Sequence, residues 1–133
     1  MSELLFWGFN ASLMAVDTGI DIVASKDNLY HHLQVKTAAR KDDGKFSFSI
    51  KSASFDVHDK NNTYYVFLMR YGNNNIYAVV PSSFLEVQRK VNVIKDNGVS
   101  LSLTISPDPR GKHYTLNGKA NLTPFINNFG QIR

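Results

Sequence analysis

Cysteine is absent from this chain. Disulfide scaffolds and thiolate zinc sites are therefore excluded, and a reducing, cytoplasmic setting is the expectation. Long apolar runs are missing too. Nothing approaches the roughly 18 residues needed to cross a bilayer, so no membrane association is expected. The leading stretch "MSELLFWGFNASLMAVD" has no basic start, and Asn10 and Ser12 interrupt its apolar residues, which argues against a signal peptide. Internal repeats, low-complexity tracts and dividing linkers are also lacking, which excludes solenoids and tandem arrays.

What is present is 133 residues, 43% hydrophobic and 20% charged. That is the size and mix of one domain with one core, spanning residues 1–133. The formal net charge is +4, a modest lean toward a polyanionic partner.

Glu3 to Gly8 reads as the last turns of a helix, anchored by Leu4, Leu5 and Trp7 and stopped by Gly8. So short a helix is marginal alone; either packing pins it or further chain precedes it, leaving this first helix incomplete. Strands are expected at Ser12–Val16, Ile20–Ala24 and Leu29–Thr37, with Ser25-Lys26-Asp27-Asn28 as the turn between the last two. "RKDDGK" is a polar connection, and "FSFSI" (Phe46–Ile50) alternates at period two. Ser52–Asn62 suits a helical turn or a loop. "TYYVFLM" (Thr63–Met69) reads as a strand buried on both faces, forming a hairpin through "YGNNN" with "IYAVV" (Ile76–Val80). Pro81 and a serine cap introduce a helix at Ser83–Lys90, with Glu86 completing a capping box. "VSLSLTI" (Val99–Ile105) alternates as another strand, "SPDPRGK" is a loop, and Asn121–Phe129 reads as a closing helix stopped by Gly130. The fold class is α/β, with a mixed, mostly antiparallel sheet and helices packed on it.

One hairpin carries unusual chemistry. In "GIDIVASKDNLYHHLQVKTA", Ile20 and Ile22 share one face of the first strand and Asp21 points to the other. In the second strand Leu33 and Val35 share a face, leaving Gln34 and Lys36 together on the opposite one. Antiparallel pairing brings Asp21, Gln34 and Lys36 to one surface. A carboxylate and an amide oxygen are hard ligands for magnesium, and the Val35 carbonyl is a third. A lysine beside them would hold or help deprotonate an attacking water and neutralise a pentacovalent phosphate.

Asp…Gln-x-Lys on a hairpin, in the context "GIDIVA…LQVKTA", resembles the PD-(D/E)xK nuclease superfamily, in particular its small endonuclease-like and Holliday-junction-resolvase-like members with Gln in place of the acid. The likeness extends from "ELLFWGFNASLMAVD" before the motif to "KFSFSI", "TYYVFLM" and "IYAVVPSSF" after it, from Glu3 to roughly Lys90. The resemblance implies a restriction-endonuclease-like αβββαβ core with a mixed central sheet flanked by helices. It implies magnesium-dependent phosphodiester hydrolysis, with manganese as a substitute, and DNA as the substrate. Asp21 would be the shared metal ligand, Gln34 the second ligand and Lys36 the catalytic lysine. The family often adds a glutamate from the first helix; Glu3 is the residue available here, and the departure bears on how active such a site is.

Other polar groups carry weaker signals. His31 and His32 lack a third metal ligand at suitable spacing. His32 shares the Gln34 face and is a candidate phosphate contact, although exposed-edge or turn-proximal histidines are the favoured reading of the pair. His58 and His113 are isolated. Arg40, Lys41, Lys45 and Lys51 follow the motif and suit either a DNA groove or a solvated loop containing Asp42 and Asp43. Arg70, Arg89, Lys90 and Arg110 are scattered. Tyr64, Tyr65, Phe67 and Tyr77 fit a core or sheet surface better than a base-stacking platform. The expectation is thus a magnesium-dependent DNA endonuclease. The alternative is a weak or inactive nuclease-fold module that binds DNA or a protein partner, and a small oligomeric structural domain is a third reading. A homodimer is compatible with each.

Overall fold

Period-two stretches become strands, and their apolar faces decide where they go. The structure, a computed structural model, describes residues 10–16, 19–26, 29–57, 62–71, 74–108 and 113–128, with the first two strands described at the level of backbone pairing. Strands β1 (Asn10–Val16), β2 (Gly19–Lys26) and β3 (Leu29–Ala39) form an antiparallel meander. Strand β4 (Phe46–Lys51) and the short helix α1 (Ser52–Val57) lead to β5 (Thr63–Tyr71), which lies parallel to β3. Strand β6 (Asn74–Pro81) returns antiparallel to β5. The first sheet is therefore mixed, in the order β1-β2-β3-β5-β6.

Helix α2 (Ser82–Lys90) follows, then β7 (Lys95–Asp96), β8 (Ser100–Pro107), β9 (Tyr114–Leu116) and β10 (Ala120–Asn121), with a 3-10 turn at Thr123–Phe125. These strands and β4 make a second sheet, ordered β10-β9-β8-β4, with β7 also paired to β8. Among the described residues the architecture is α+β in character: two sheets, one of them mixed, and few helices.

The two sheets pack through a shared apolar core. On β4, buried Phe46, Phe48 and Ile50 alternate with exposed Ser47, Ser49 and Lys51. On β8, Leu101, Leu103 and Ile105 take the inward positions. They meet Tyr65, Phe67 and Met69 of β5 and Ala78 and Val80 of β6. The Phe48 and Phe67 rings bridge the layers edge to face at 4.9 Å, a favoured aromatic geometry. On the other face of the first sheet Leu33, Val66 and Val79 are buried as well. The expectation of a strand buried on both sides holds for β5.

Helix α2 is fixed to this core by a charged hub. Arg89 pairs with Glu86 at 2.6 Å, Asp56 at 2.9 Å and Asp96 at 3.4 Å, and its guanidinium lies 5.0 Å from the Phe55 ring centroid. One residue therefore ties α1, α2 and β7 together. Asp96 also accepts from Ser52 Oγ at 2.7 Å. Hydrogen bonds from Ser52 and from the Gly98 N–H, together with Arg89, hold its carboxyl below the usual carboxylate range. Phe84 on the same helix packs against Phe125 at 4.8 Å.

Several expectations are corrected. "FSFSI" is a strand, but it joins the second sheet, because alternation supplies one apolar face without naming the layer that covers it. A second sheet thus stands against one face of the mixed sheet where helices are expected. Ser25 and Lys26 are strand rather than turn, paired with Tyr30 and Leu29. Tyr71, Asn74 and Asn75 likewise belong to strands, and β8 runs on through Ser106 and Pro107. The capping box does not form: Pro81 is the N-cap with no side-chain cap bond, and the charged contact to Arg89 draws Glu86 away. Asn121–Phe129 is not an α-helix over its described part. Pro124 has no N–H to donate, and Asn127 adopts a φ of 54° while clasping Tyr77 through both backbone and side chain. Ile126 bridges Ala78, so this segment covers the β6 edge, whose backbone groups would otherwise stand open. The expected helix at Glu3–Gly8 and the Gly130 stop lie outside the described residues.

Candidate functional site

The hairpin of β2 and β3 sets the relation of the three chemical residues. Asp21 stands in register with Gln34, and Ile20 with Val35. Cross-strand partners in an antiparallel pair occupy one face of the sheet, so Asp21 and Gln34 are neighbours on one face by register. On the other side of β3, Gln34 is in register with Tyr65 and Lys36 with Phe67. The site face is therefore the one that carries the core, and the candidate residues lie at its β2–β3 end. Pairing of β2 with β3 runs to Val35, while β3 continues beside β5 as far as Ala39. Lys36 sits just past that junction.

Gln34 is buried and Lys36 half-buried. The Gln34 amide nitrogen lies 3.3 Å from His32 Nε2, and the His32 tautomer with its proton on Nδ1 makes that ring nitrogen an acceptor. His32 is half-buried, and its backbone N–H donates to the Asn62 carbonyl at 2.8 Å. Of the two readings of His32, the exposed edge is excluded, since β3 is an interior strand flanked by β2 and β5, while its place three residues into β3 keeps it near the β2–β3 turn. Val35 has partners in register on both sides, Ile20 and Val66; a carbonyl carries two lone pairs, so a ladder bond at that oxygen would leave it one. Glu3 lies outside the described residues. Among the described residues, no three His, Asp or Glu side chains are grouped as a metal cage. The donors at Asp21 and Gln34 are nevertheless both oxygen and both hard, which fits magnesium rather than a softer ion.

The basic residues that follow β3 sit in a closed turn. Lys41 N–H donates to the Lys45 carbonyl at 3.0 Å and Gly44 N–H to the Lys41 carbonyl at 2.9 Å. Gly44 takes a φ of 80°, a left-handed conformation that glycine adopts without penalty. Asp43 accepts from the Lys45 N–H at 3.0 Å. Arg40, Lys41 and Lys45 are exposed, as is Lys51 at the end of β4. The turn holds Arg40, Lys41 and Lys45 just past the end of β3, Lys51 stands at the far end of β4, and Gln34 and Lys36 lie further back along β3.

His31, read with His32 as an exposed-edge or turn-proximal histidine, is instead buried. It is 3% exposed on the face opposite Gln34, its Nδ1 has no hydrogen-bond partner among the described residues, and its ring meets Tyr64 edge-on at 5.7 Å. Alternation in β3 was the available signal, since His31 shares the face of Leu33. Burial lowers its pKa from the ordinary 6.5. As pH falls through about 6.5 the unfolded chain takes up a proton that the folded chain resists. Stability is therefore complete above that value and declines below it. Urea melts are expected to show a lower midpoint at about pH 5.5 than at about pH 7.5, and His31→Gln should flatten that difference. An unchanged pH dependence in the variant would assign it to other groups.

Among the described residues, no helix is long and apolar enough to cross a membrane. Comparison with protein-family models, with curated proteins and with solved structures found no match.

Proposed function

We propose that this protein is a magnesium-dependent endodeoxyribonuclease of the PD-(D/E)xK type, with a restriction-endonuclease-like core. The observation that carries the reading is the register: Asp21 pairs with Gln34, and Lys36 follows two positions along the same strand. The strand order supports it. Three antiparallel strands, a connection containing α1, and then a strand parallel to the third are compatible with the βββαβ part of the core that the motif implies. The departure is that the same connection also sends β4 into the second sheet.

Asp21 and Gln34 would hold the cation, which when bound supplies Lewis-acid polarisation of the scissile phosphate. Gln34 is pre-set for this by burial and by its contact with His32, which places the amide nitrogen against the ring. Lys36 contributes a compact ammonium that holds the attacking water and offsets charge on the pentacovalent phosphate. Arg40, Lys41 and Lys45, with His32 nearer the site, would contact the DNA backbone without reading sequence. The protein would act in the cytoplasm, and a homodimer would place two such sites on one duplex.

A second reading is favoured by the same Gln34–His32 contact, because it gives the buried amide a structural partner. In that reading the domain binds DNA or a protein without cutting. Supercoiled plasmid with magnesium separates the two. Conversion to nicked and linear forms by the wild type, lost with EDTA and in Asp21→Asn, is expected. Intact plasmid in magnesium and in manganese would reject the nuclease reading in favour of the second.

A further inference from the structure

The second sheet has an outer face that the proposed site does not use. By register Ser47 stands beside Thr104 and Ser49 beside Ser102, with Lys95 beside Ser102 on its other flank. Among the described residues, the outward positions of β4, β7 and β8 carry only Ser, Thr and Lys. Ser47, Ser49, Lys51, Lys95 and Ser102 are exposed. Lys41, in the turn before β4, approaches the same face, with Nζ 3.5 Å from Ser47 Oγ.

Solvation alone asks only for polar residues, and opposite charges across a strand pair are the stabilising choice. At the outward register positions of these strands the charge has one sign, while the exposed carboxylates Asp42 and Asp96 stand beside them. Of the nearby carboxylates, Asp96, beside Leu101 by register, binds Ser52, the Gly98 N–H and Arg89, Asp43 accepts from the Lys45 N–H, and Asp42 is exposed in the turn that carries Lys41. These positions hold no apolar side chain that would enter a lipid layer. Hydroxyls and ammonium groups on a flat sheet donate hydrogen bonds and positive charge, which is what a phosphate backbone accepts.

We infer that the outer face of the second sheet binds the backbone of double-stranded DNA, independently of sequence. This surface lies apart from the Asp21–Gln34–Lys36 site. It shares the substrate of the proposed function, but its test needs no cleavage. Fluorescence anisotropy with a labelled duplex in EDTA, across a salt series, reads it directly. The double variant Lys51→Ser, Lys95→Ser, which leaves Lys41 of the proposed site in place, is expected to bind several-fold more weakly at low salt. The slope of log K against log salt should fall by about 0.9 for each phosphate that a removed lysine had neutralised, up to about 2 in all. Ser49→Asp with Ser102→Asp should weaken binding in the same direction. Circular dichroism and melting temperature establish that the variants fold, since every substituted position is exposed. Wild-type affinity and slope in folded variants would overturn the proposal and leave the lysines as guards of the strand edges. Preferential, lysine-dependent capture of phosphatidylserine vesicles over DNA would overturn it too. DNA binding that needs these lysines in a protein that never cuts would sustain this surface while rejecting the nuclease reading.

Discussion

Lys36→Ala is expected to lower the rate of magnesium-dependent DNA cleavage by about a hundredfold or more, with the fold intact. The size follows from the role: a fixed charge aimed at the developing charge of a transition state contributes roughly two to three orders of magnitude in rate. Preservation of the fold follows from position. Lys36 is half-buried, and its backbone stays in the β3–β5 ladder whatever its side chain. Lys36→Arg keeps the charge but replaces a compact ammonium by a planar fork, so it should restore only part of the rate. Single-turnover cleavage of a plasmid, with a melting curve for each variant, measures both halves. A Lys36→Ala protein that cuts at the wild-type rate would remove Lys36 from the chemistry.

Phe67→Ala is expected to destabilise the protein by about 3–5 kcal/mol, the range for removing a fully buried aromatic ring from a packed core. Phe67 is completely buried, meets Phe48 of the second sheet at 4.9 Å and stacks on Tyr65 at 6.2 Å. Its loss would open a cavity where the two layers touch. Against the usual stability of about 5–15 kcal/mol, that is a large fraction, and a fall in melting temperature of roughly 10 °C or more should follow. Phe67→Leu, which keeps most of the volume, should cost far less. A shift below about 1 kcal/mol for Phe67→Ala would mean that the sheets are not held together through this ring.

The sequence revealed strands more readily than it revealed their neighbours. Period-two alternation located β2, β3, β4 and β8, because one apolar face per strand is a local property, and continuous apolar runs located β5 and β6. It did not say that β4 leaves β3 for β8, since Phe46, Phe48 and Ile50 would suit any apolar layer. The short strands β7, β9 and β10 carry too few residues for a period to show. The C-terminal misreading has a specific cause: Leu122, Phe125 and Ile126 are spaced as on a helix, yet Pro124 and the Asn127–Tyr77 clasp favour pairing with the β6 edge. Arg89 looked scattered in the sequence, although its spacing from Glu86 was legible; Asp56 and Asp96 come from distant segments.

The candidate site was legible for the opposite reason. Asp21 and Gln34 sit on the two arms of one hairpin, so a local turn fixes their pairing, and alternation then fixes the shared face. His32 was placed correctly on the Gln34 face, but its burial was not foreseen. That burial depends on β5, which arrives from across the connection.

The central claim is that the paired strands bring an acid, an amide and a lysine to a cation-binding position. A crystal soaked in manganese and measured at the metal's absorption edge tests it most directly. The expected result is one strong anomalous peak bounded by Asp21 and Gln34 and absent from Asp21→Asn crystals. A soaked crystal without a peak there, or with manganese bound only at unrelated surface carboxylates, would contradict it.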